Sequence, residues 1–280
     1  MSSNVVSLSG GKDSTDLLIE MQKRGENIIA AVFFDTGWEH PPLYGHLKNL
    51  EAYTGIPIVH LKPRIPFDVQ FSQEPVRAKK TKEIKYYGYG WPRGKCRWCT
   101  RLKQSALDSY AQALSWQGYE LPIVQCIGIA ADEEHRIEAE GYSKRISPYM
   151  NFRFPLVEYG ITEAQALDDC KRLGFDWGGL YSVFHRLSCF CCPQGGIAQA
   201  QKIRTYLPDA WEKMLEMAAQ LPGDHPGRFF ASGNRKKGIK SHTLHDLETR
   251  FAAEAAFESR KIPLPGMTVH KPALECGSYA

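Results

Sequence analysis

Apolar positions in this chain fall into short unbroken runs, and the stretches between them carry helical spacing. Asn4-Val5-Val6-Ser7-Leu8, residues 28–34 (Ile-Ile-Ala-Ala-Val-Phe-Phe), Pro57-Ile58-Val59-His60-Leu61 and residues 123–129 each have the length and character of a strand. The second run has no polar position at all, which predicts a strand buried on both faces. Leu17, Leu18 and Met21 recur at helical spacing after the first run, and a further helix ends near Gly55. Strand and helix alternating in this way predict an α/β fold with a doubly wound, mainly parallel sheet. Beyond Pro193 the pattern becomes helical over residues 198–207, 210–221 and 244–260, with Leu244, Leu247, Phe251 and Ala255 on one face of the last helix. Pro222-Gly223-Asp224-His225-Pro226-Gly227 is a breaker-rich link between these helices. The expected organisation is a nucleotide-binding domain over residues 1–195 and a helical C-terminal region over residues 196–280.

The first strand meets the first helix at Ser9-Gly10-Gly11-Lys12-Asp13-Ser14. Two adjacent glycines let backbone amides turn toward an anion, and the helix N-terminus adds the positive end of its dipole. Lys12 supplies a full charge for phosphate, and Ser9 and Ser14 supply hydroxyl donors. The mononucleotide P-loop separates its glycines by four residues; here they are adjacent. The hexapeptide reads as a pyrophosphate cradle. The second strand ends at Asp35-Thr36-Gly37-Trp38-Glu39-His40-Pro41. Ligands of open α/β sheets gather at the carboxyl ends of strands, so Asp35 belongs near the same nucleotide.

The 280 residues are 43% hydrophobic and 24% charged, enough for one large core with an appendage or for two modest domains. The N-terminus runs directly into the first strand, and no apolar run approaches the ~18 residues of a membrane span. A cytoplasmic protein with no membrane partner is the expectation. The formal net charge is +4, compatible with anionic partners. Arg77-Ala78-Lys79-Lys80-Thr81-Lys82-Glu83-Ile84-Lys85 leads into Tyr86-Tyr87-Gly88-Tyr89-Gly90-Trp91, interleaving cations with rings able to stack on bases. The glycines from Tyr86 to Gly94 suggest a mobile loop. A second basic cluster is Arg235-Lys236-Lys237-Gly238-Ile239-Lys240.

Eight cysteines without a secretion signal point to metal, cluster or thiol chemistry in a reducing compartment. Cys96-Arg97-Trp98-Cys99 and Cys189-Phe190-Cys191-Cys192-Pro193 each contain a C-x-x-C pair. Together, Cys96, Cys99, Cys189 and Cys192 make a four-thiolate set that suits Zn²⁺ or an iron-sulfur cluster. Cys191 is a fifth ligand or a separate thiol, and the isolated Cys126 and Cys170 read as core residues.

Ser9 to Ser14 match in full the Ser-Gly-Gly-x-Asp-Ser hallmark of the PP-loop ATP pyrophosphatases. Phe34 to Pro41, Cys99-Thr100-Arg101-Leu102-Lys103, Phe154-Pro155-Leu156, Ile161-Thr162, Leu180-Tyr181 and Arg186-Leu187-Ser188-Cys189 with Cys192-Pro193 follow, in order, blocks of the phosphoadenosine-phosphosulfate (PAPS) reductase family. The resemblance covers about residues 4 to 195 and implies an adenine-nucleotide alpha-hydrolase-like fold. It implies catalytic roles for Lys12, Asp13 and Ser14, and nucleotide contacts from Ser7, Ser9, Gly10, Gly11, Asp35, Thr36, Gly37, Arg101, Lys103 and Gly128. Two departures stand out. Gly128-Ile129-Ala130-Ala131-Asp132-Glu133 carries Ala130 where the family has an arginine. Glu275-Cys276-Gly277 resembles the reductases' tail bearing their nucleophilic cysteine but lacks its hydrophobic-histidine ending.

The intact cradle and clustered cysteines resemble most the ATP pyrophosphatases of DNA phosphorothioation systems. That likeness implies cleavage of ATP to AMP and pyrophosphate with Mg²⁺, and a [4Fe-4S] cluster at the four paired cysteines with Zn²⁺ as the alternative. It also implies nucleic acid as acceptor, DNA before tRNA, and a cysteine desulfurase or other sulfur donor as partner. Two other readings stand beside it: a PAPS or APS reductase using Cys276 with a thiol donor, and a non-catalytic nucleic-acid-binding module with a structural zinc site.

Overall fold

The computed structural model describes residues 3–92, 97–142, 147–187, 189–231, 233 and 240–259. The chain runs through β1 (Asn4–Leu8), α1 (Lys12–Lys23), β2 (Ile28–Phe34), α2 (Pro41–Thr54), β3 (Ile58–Leu61), α3 (Phe67–Ser72), β4 (Pro75–Arg77) and β5 (Ile84–Tyr87). There follow α4 (Trp98–Trp116), β6 (Ile123–Ile127), α5 (His135–Ala139), β7 (Met150–Arg153), α6 (Pro155–Tyr159), α7 (Glu163–Arg172) and α8 (Leu180–Val183). The last elements are α9 (Gly196–Tyr206), α10 (Pro208–Ala219), β8 (Phe229–Ala231), β9 (His242–Thr243) and α11 (Leu244–Ser259). No helix among the described residues is long and apolar enough to cross a membrane.

Two compact units divide the chain: Met1–Arg64 with Thr100–Cys189, and Ile65–Cys99 with Phe190–Ala280. A single cut near residue 195 therefore does not describe the packing. The described residues of 65–99 leave the first unit after β3 and find partners in the segment from His225 to Phe230, where their aromatic side chains and backbone are met.

The first unit holds a five-stranded sheet in the order β3-β2-β1-β6-β7, with parallel neighbours throughout. β1 is central and wholly buried, as its apolar sequence requires. Val5, Ala30, Val32, Ile123 and Met150 from the sheet meet Leu107, Ala111 and Leu114 of α4 in one core cluster. The isolated cysteines Cys126 and Cys170 are fully buried. Helix α1 buries Leu17, Leu18, Ile19 and Met21, together with Thr15 and Asp16, so it is covered on more than its apolar face. α7 lies against it, started by a capping box in which Thr162 and Gln165 satisfy each other's backbone amides.

The second unit is built on rings. Trp91 packs edge-on against Phe71 and Phe230, with ring centroids 4.8 and 5.1 Å apart, while Trp98 stacks on Tyr89 at 5.5 Å and donates its indole N–H to the Gly90 carbonyl at 3.0 Å. Trp91 is 1% exposed. Of the mobile loop expected over Tyr86 to Gly94, Arg93 and Gly94 lie outside the described residues, and the part from Tyr86 to Trp91 is a packed segment whose glycines serve close approach. A side chain on Gly90 (φ +61°) would sit 2.7 Å from the Gly227 carbonyl oxygen. His225 fastens the same place: its Nε2 faces the carbonyls of Tyr87 and Gly88 at 3.0 and 3.1 Å, and its Nδ1 accepts the Gly227 amide at 3.0 Å. Those contacts set the tautomer, with the proton on Nε2. In α11, Leu244, Leu247 and Phe251 are buried as expected, but Ala255 is exposed, so the apolar stripe stops one turn early.

Gly88 combines φ +79° with a Cβ position 2.6 Å from the Ser72 Cα. Gly88→Ala is expected to destabilise the chain by more than ~1 kcal/mol, read as a lower urea midpoint at unchanged slope. An unchanged midpoint would refute the close-packed account of this turn.

Candidate functional site

The order β3-β2-β1-β6-β7 makes the boundary between β1 and β6 the point where the chain reverses its direction of winding. Open α/β sheets bind ligands in the crevice at such a point, outside the carboxyl ends of the strands. The cradle that follows β1 and Gly128 that follows β6 meet there. A Cβ on Gly128 would lie 3.0 Å from the Asp13 carbonyl and the Ser14 Cα, which explains why this position carries no side chain. Gly10 has φ +76°, and a Cβ on it would collide with Leu43 of α2 at 2.6 Å. Gly11 is the extended residue before α1. The Ser14 hydroxyl receives the Ser9 amide at 3.1 Å, lies 3.1 Å from the Ser9 hydroxyl, and donates to the Gly11 carbonyl at 3.1 Å. Ser7, one turn of the pleat earlier, accepts from the Gln125 amide of β6 at 2.7 Å.

Lys12 is the electrostatic centre. Its side chain is 6% exposed, and its Nζ donates to Asp13 Oδ1 at 2.8 Å and Glu163 Oε1 at 2.7 Å. Burial opposes the ammonium charge, but hydrogen bonds and attraction from the two carboxylates outweigh it and raise the Lys12 pKa. Asp13 is raised too, first by burial and then by the nearby Glu163 and Glu133, against the pull of Lys12. One cation facing two carboxylates leaves a negative surplus. Glu163 stands at the first position of α7, where its own amide donates to Asp132 Oδ1 at 3.0 Å. The Lys12 amide donates to the Tyr181 hydroxyl at 2.7 Å, and the Trp177 indole donates to the Gly10 carbonyl at 2.7 Å. Trp177 in turn stacks on His46, which bonds Thr15 at 2.8 Å and is held near pKa 4 by burial, so it is neutral at pH 7.

At the end of β2, Asp35 accepts from the Gly37 amide and the Tyr44 hydroxyl, both at 2.8 Å. Thr36 donates to Glu39 Oε1 at 2.8 Å and accepts the Trp38 amide at 3.1 Å. Burial lifts Glu39 to about 7, opposed by Thr36 and by the charge of Lys103. Lys103 is itself pushed down by burial, with Glu39, Cys189 and Glu140 supporting its charge. Arg101 is exposed. Asp35, Thr36, Gly37 and Lys103 thus belong with the cradle in the first unit. Glu163, Tyr181 and Glu39 were not singled out from the sequence as site residues. Glu163 and Tyr181 reach Lys12 from 151 and 169 positions away; the only local signal was that Thr162 and Leu180-Tyr181 sit in family-like blocks.

Of the four paired cysteines, Cys96 lies outside the described residues, as do Ser188, Cys276 and residues 234–239 of the second basic cluster. Cys99 and Cys192 belong to the second unit and Cys189 ends the stretch assigned to the first; all three are half-buried, and Cys191 is buried. Among the described residues no group of three His, Cys, Asp or Glu side chains is arranged to hold a metal ion.

Asp16 stands apart. Its residue is 0% exposed, and neither carboxylate oxygen has a hydrogen-bond partner among the described residues. Burial, reinforced by Glu20 and Asp13 and opposed by Lys23 and Arg172, lifts it to about 7.

Comparison with known proteins bears on this site. Residues 3–118 match the model of the phosphoadenosine phosphosulfate reductase domain family. The chain is 26% identical over 246 residues to an uncharacterised protein of Methanocaldococcus jannaschii, covering 84% of this chain and 45% of that one. It is 32% identical over 152 residues to an uncharacterised nin region protein of Escherichia phage lambda, covering 48% of this chain and 50% of that one. The chain spans about half the length of these curated relatives. Among solved structures, a phosphoadenylyl-sulfate (PAPS) reductase from Candida auris in a phosphate complex is similar at 12% identity and a TM-score of 0.36, over 62% of this chain and 74% of that one.

Asp16 gives a pH-dependent prediction. An unfolded aspartate titrates near pH 4, and the folded one near about 7. The fold therefore favours the protonated form, and this contribution, complete below pH 4, is lost as pH rises through 7. Asp16→Asn should change stability little at pH 4 and raise it by about 1–4 kcal/mol at pH 8. Urea titrations at the two pH values check this; a pH-independent difference would refute it.

Proposed function

We propose that this chain, whose residues 3–118 match the model of the phosphoadenosine phosphosulfate reductase domain, is an ATP pyrophosphatase that adenylates a nucleic acid, DNA by preference, for sulfur transfer. The observation that carries the reading is the complete cradle at the switch point of the sheet, with Lys12 buried at the N-terminus of α1. In this reading the β- and γ-phosphates take the place of a carboxylate on Lys12, and the amides of the glycine turn hold the leaving pyrophosphate. A non-bridging phosphate oxygen of the acceptor attacks the α-phosphorus, the bond to the β-phosphate oxygen breaks, and pyrophosphate departs. Asp35, fixed by Gly37 and Tyr44, orients the nucleotide. Mg²⁺ accompanying the triphosphate would offset its charge, and the carboxylate surplus of Asp13 and Glu163 is a suitable neighbour for it. Cys96, Cys99, Cys189 and Cys192 would hold a [4Fe-4S] cluster, or Zn²⁺, supporting the transfer of sulfur from a cysteine desulfurase or another donor.

Ala130 favours this reading over sulfonucleotide reduction, since the arginine of the reductase pattern is missing and the residue in its place is fully buried. Anaerobically purified protein is expected to release AMP and pyrophosphate from ATP with Mg²⁺, with stimulation by DNA. Lys12→Ala should lower that release by about 10²-fold or more while far-UV circular dichroism is unchanged. Sulfite from PAPS or APS, with ATP untouched, would overturn the proposal and direct attention to Cys276. For the metal centre, Cys99→Ser should deplete bound iron or zinc per chain by elemental analysis; full metal content would remove Cys99 from the ligand set.

A further inference from the structure

The antiparallel hairpin formed by β4 and β5 concentrates the positive charge of the molecule. Residues 77–87 carry Arg77, Lys79, Lys80, Lys82 and Lys85 against one acid, Glu83, a surplus of four. That surplus equals the formal net charge of the entire chain, +4, so everything outside these eleven residues is balanced. All five cations are exposed. None of them is ion-paired among the described residues. Exposed basic side chains without partners repel one another, and a fold gains nothing from gathering them unless an anion is to be met.

The hairpin is also held in shape. Arg77 pairs across the strands with Ile84, and its guanidinium donates to the Lys82 carbonyl at 3.1 Å. The Ala78 amide donates to Glu83 at 2.8 Å, and the Lys82 amide returns to Ala78 at 3.1 Å, closing the tip with Lys82 at φ +64°. At the base, Tyr86 packs edge-on against buried His225 at 5.1 Å, while Gly88 donates to the Glu74 carbonyl at 2.8 Å. Three lysines are thus fixed at the tip of a two-stranded ribbon, with Arg77 and Lys85 along its stem. Ile84 and Tyr87, 41% and 56% exposed, add apolar surface beside the charges.

We propose that the β4–β5 hairpin is a duplex-DNA-binding ribbon that enters the major groove. A pair of strands about 4.8 Å apart fits a groove about 12 Å wide, whereas the major groove of an RNA duplex is too deep and narrow to admit it. Tip lysines meet phosphates across the groove, and Ile84 and Tyr87 lie against base edges. The proposal rests on the nucleic-acid acceptor proposed above and assigns it a surface.

The test uses the full chain and a short fluorescein-labelled DNA duplex, followed by anisotropy over a range of salt. A variant carrying Lys79→Gln, Lys80→Gln, Lys82→Gln and Lys85→Gln is compared after circular dichroism confirms its fold. Wild type is expected to prefer the DNA duplex to an RNA duplex or a single strand of the same sequence. The variant should bind about tenfold or more weakly, with the slope of log K against log salt shallower by about 2–4. Wild-type affinity and slope in the variant would overturn the proposal, as would equal binding of RNA duplex or single strand, or no duplex binding by wild type. Pyrophosphate release from ATP and Mg²⁺, measured with the duplex present, separates the two claims. Its absence beside hairpin-dependent DNA binding would count against ATP cleavage alone.

Discussion

The buried ammonium of Lys12 is the interaction on which the rest of this architecture turns. At 6% side-chain exposure, a charge of this kind costs several kcal/mol unless it is paired and hydrogen-bonded. Asp13 is its chain neighbour, but Glu163 has to be delivered from 151 positions along the chain. Delivery depends on the capping box that starts α7, on Asp132 receiving the Glu163 amide, and on the packing of α7 along α1. The Tyr181 hydroxyl on the Lys12 amide and the Trp177 indole on Gly10 add partners from within the protein to the cradle. An incoming anion therefore exchanges partners. Its net binding energy is the difference between phosphate and the protein groups it displaces, which is much smaller than the gross strength of the new contacts.

The sheet order explains why these groups meet. β1 lies at the centre with β2 on one side and β6 on the other, so three successive carboxyl ends bring the cradle, Asp35 and Gly128 to one crevice. The two glycines of the turn and Gly128 are there for separate reasons. Gly10 has the positive φ, Gly11 lies 3.1 Å from the Tyr181 hydroxyl at its Cβ position, and Gly128 lets β6 approach the first turn of α1. Only Gly10 needs glycine for backbone conformation. The other two mark close approach.

Much of this was legible in the chain. The apolar runs gave four of the five strands, missing β7 with its polar Asn151 and Arg153, and the hexapeptide from Ser9 to Ser14 gave the strand-turn-helix, because both signals are local. Glu163 and Tyr181 were not legible as Lys12 partners, since nothing near Lys12 in sequence specifies which distant side chains the topology will return to it. The glycines among Tyr86 to Trp91 looked like a mobile loop for a related reason. Gly88 and Gly90 permit backbone contact with Phe71, Ser72 and Gly227, a long-range requirement that resembles flexibility when read locally. The same blind spot hid the passage of residues 65–99 into the second unit.

Charge distribution is what favours the proposed chemistry at the cradle. Ala130 is 0% exposed and brings no positive charge to the ligand side of the sheet. Lys103, the remaining buried cation on this side, has its charge disfavoured by burial. Lys12 is then the main positive group at the cradle, and it is already shared by two carboxylates. A sulfonucleotide arriving without a metal would add its own negative charge to that surplus. In the proposed reading ATP would arrive with Mg²⁺, which would offset part of the triphosphate charge and give Asp13 and Glu163 a cation to face when Lys12 turns to phosphate. On that proposal, the carboxylates that oppose a bare anion would favour a metal-bound one.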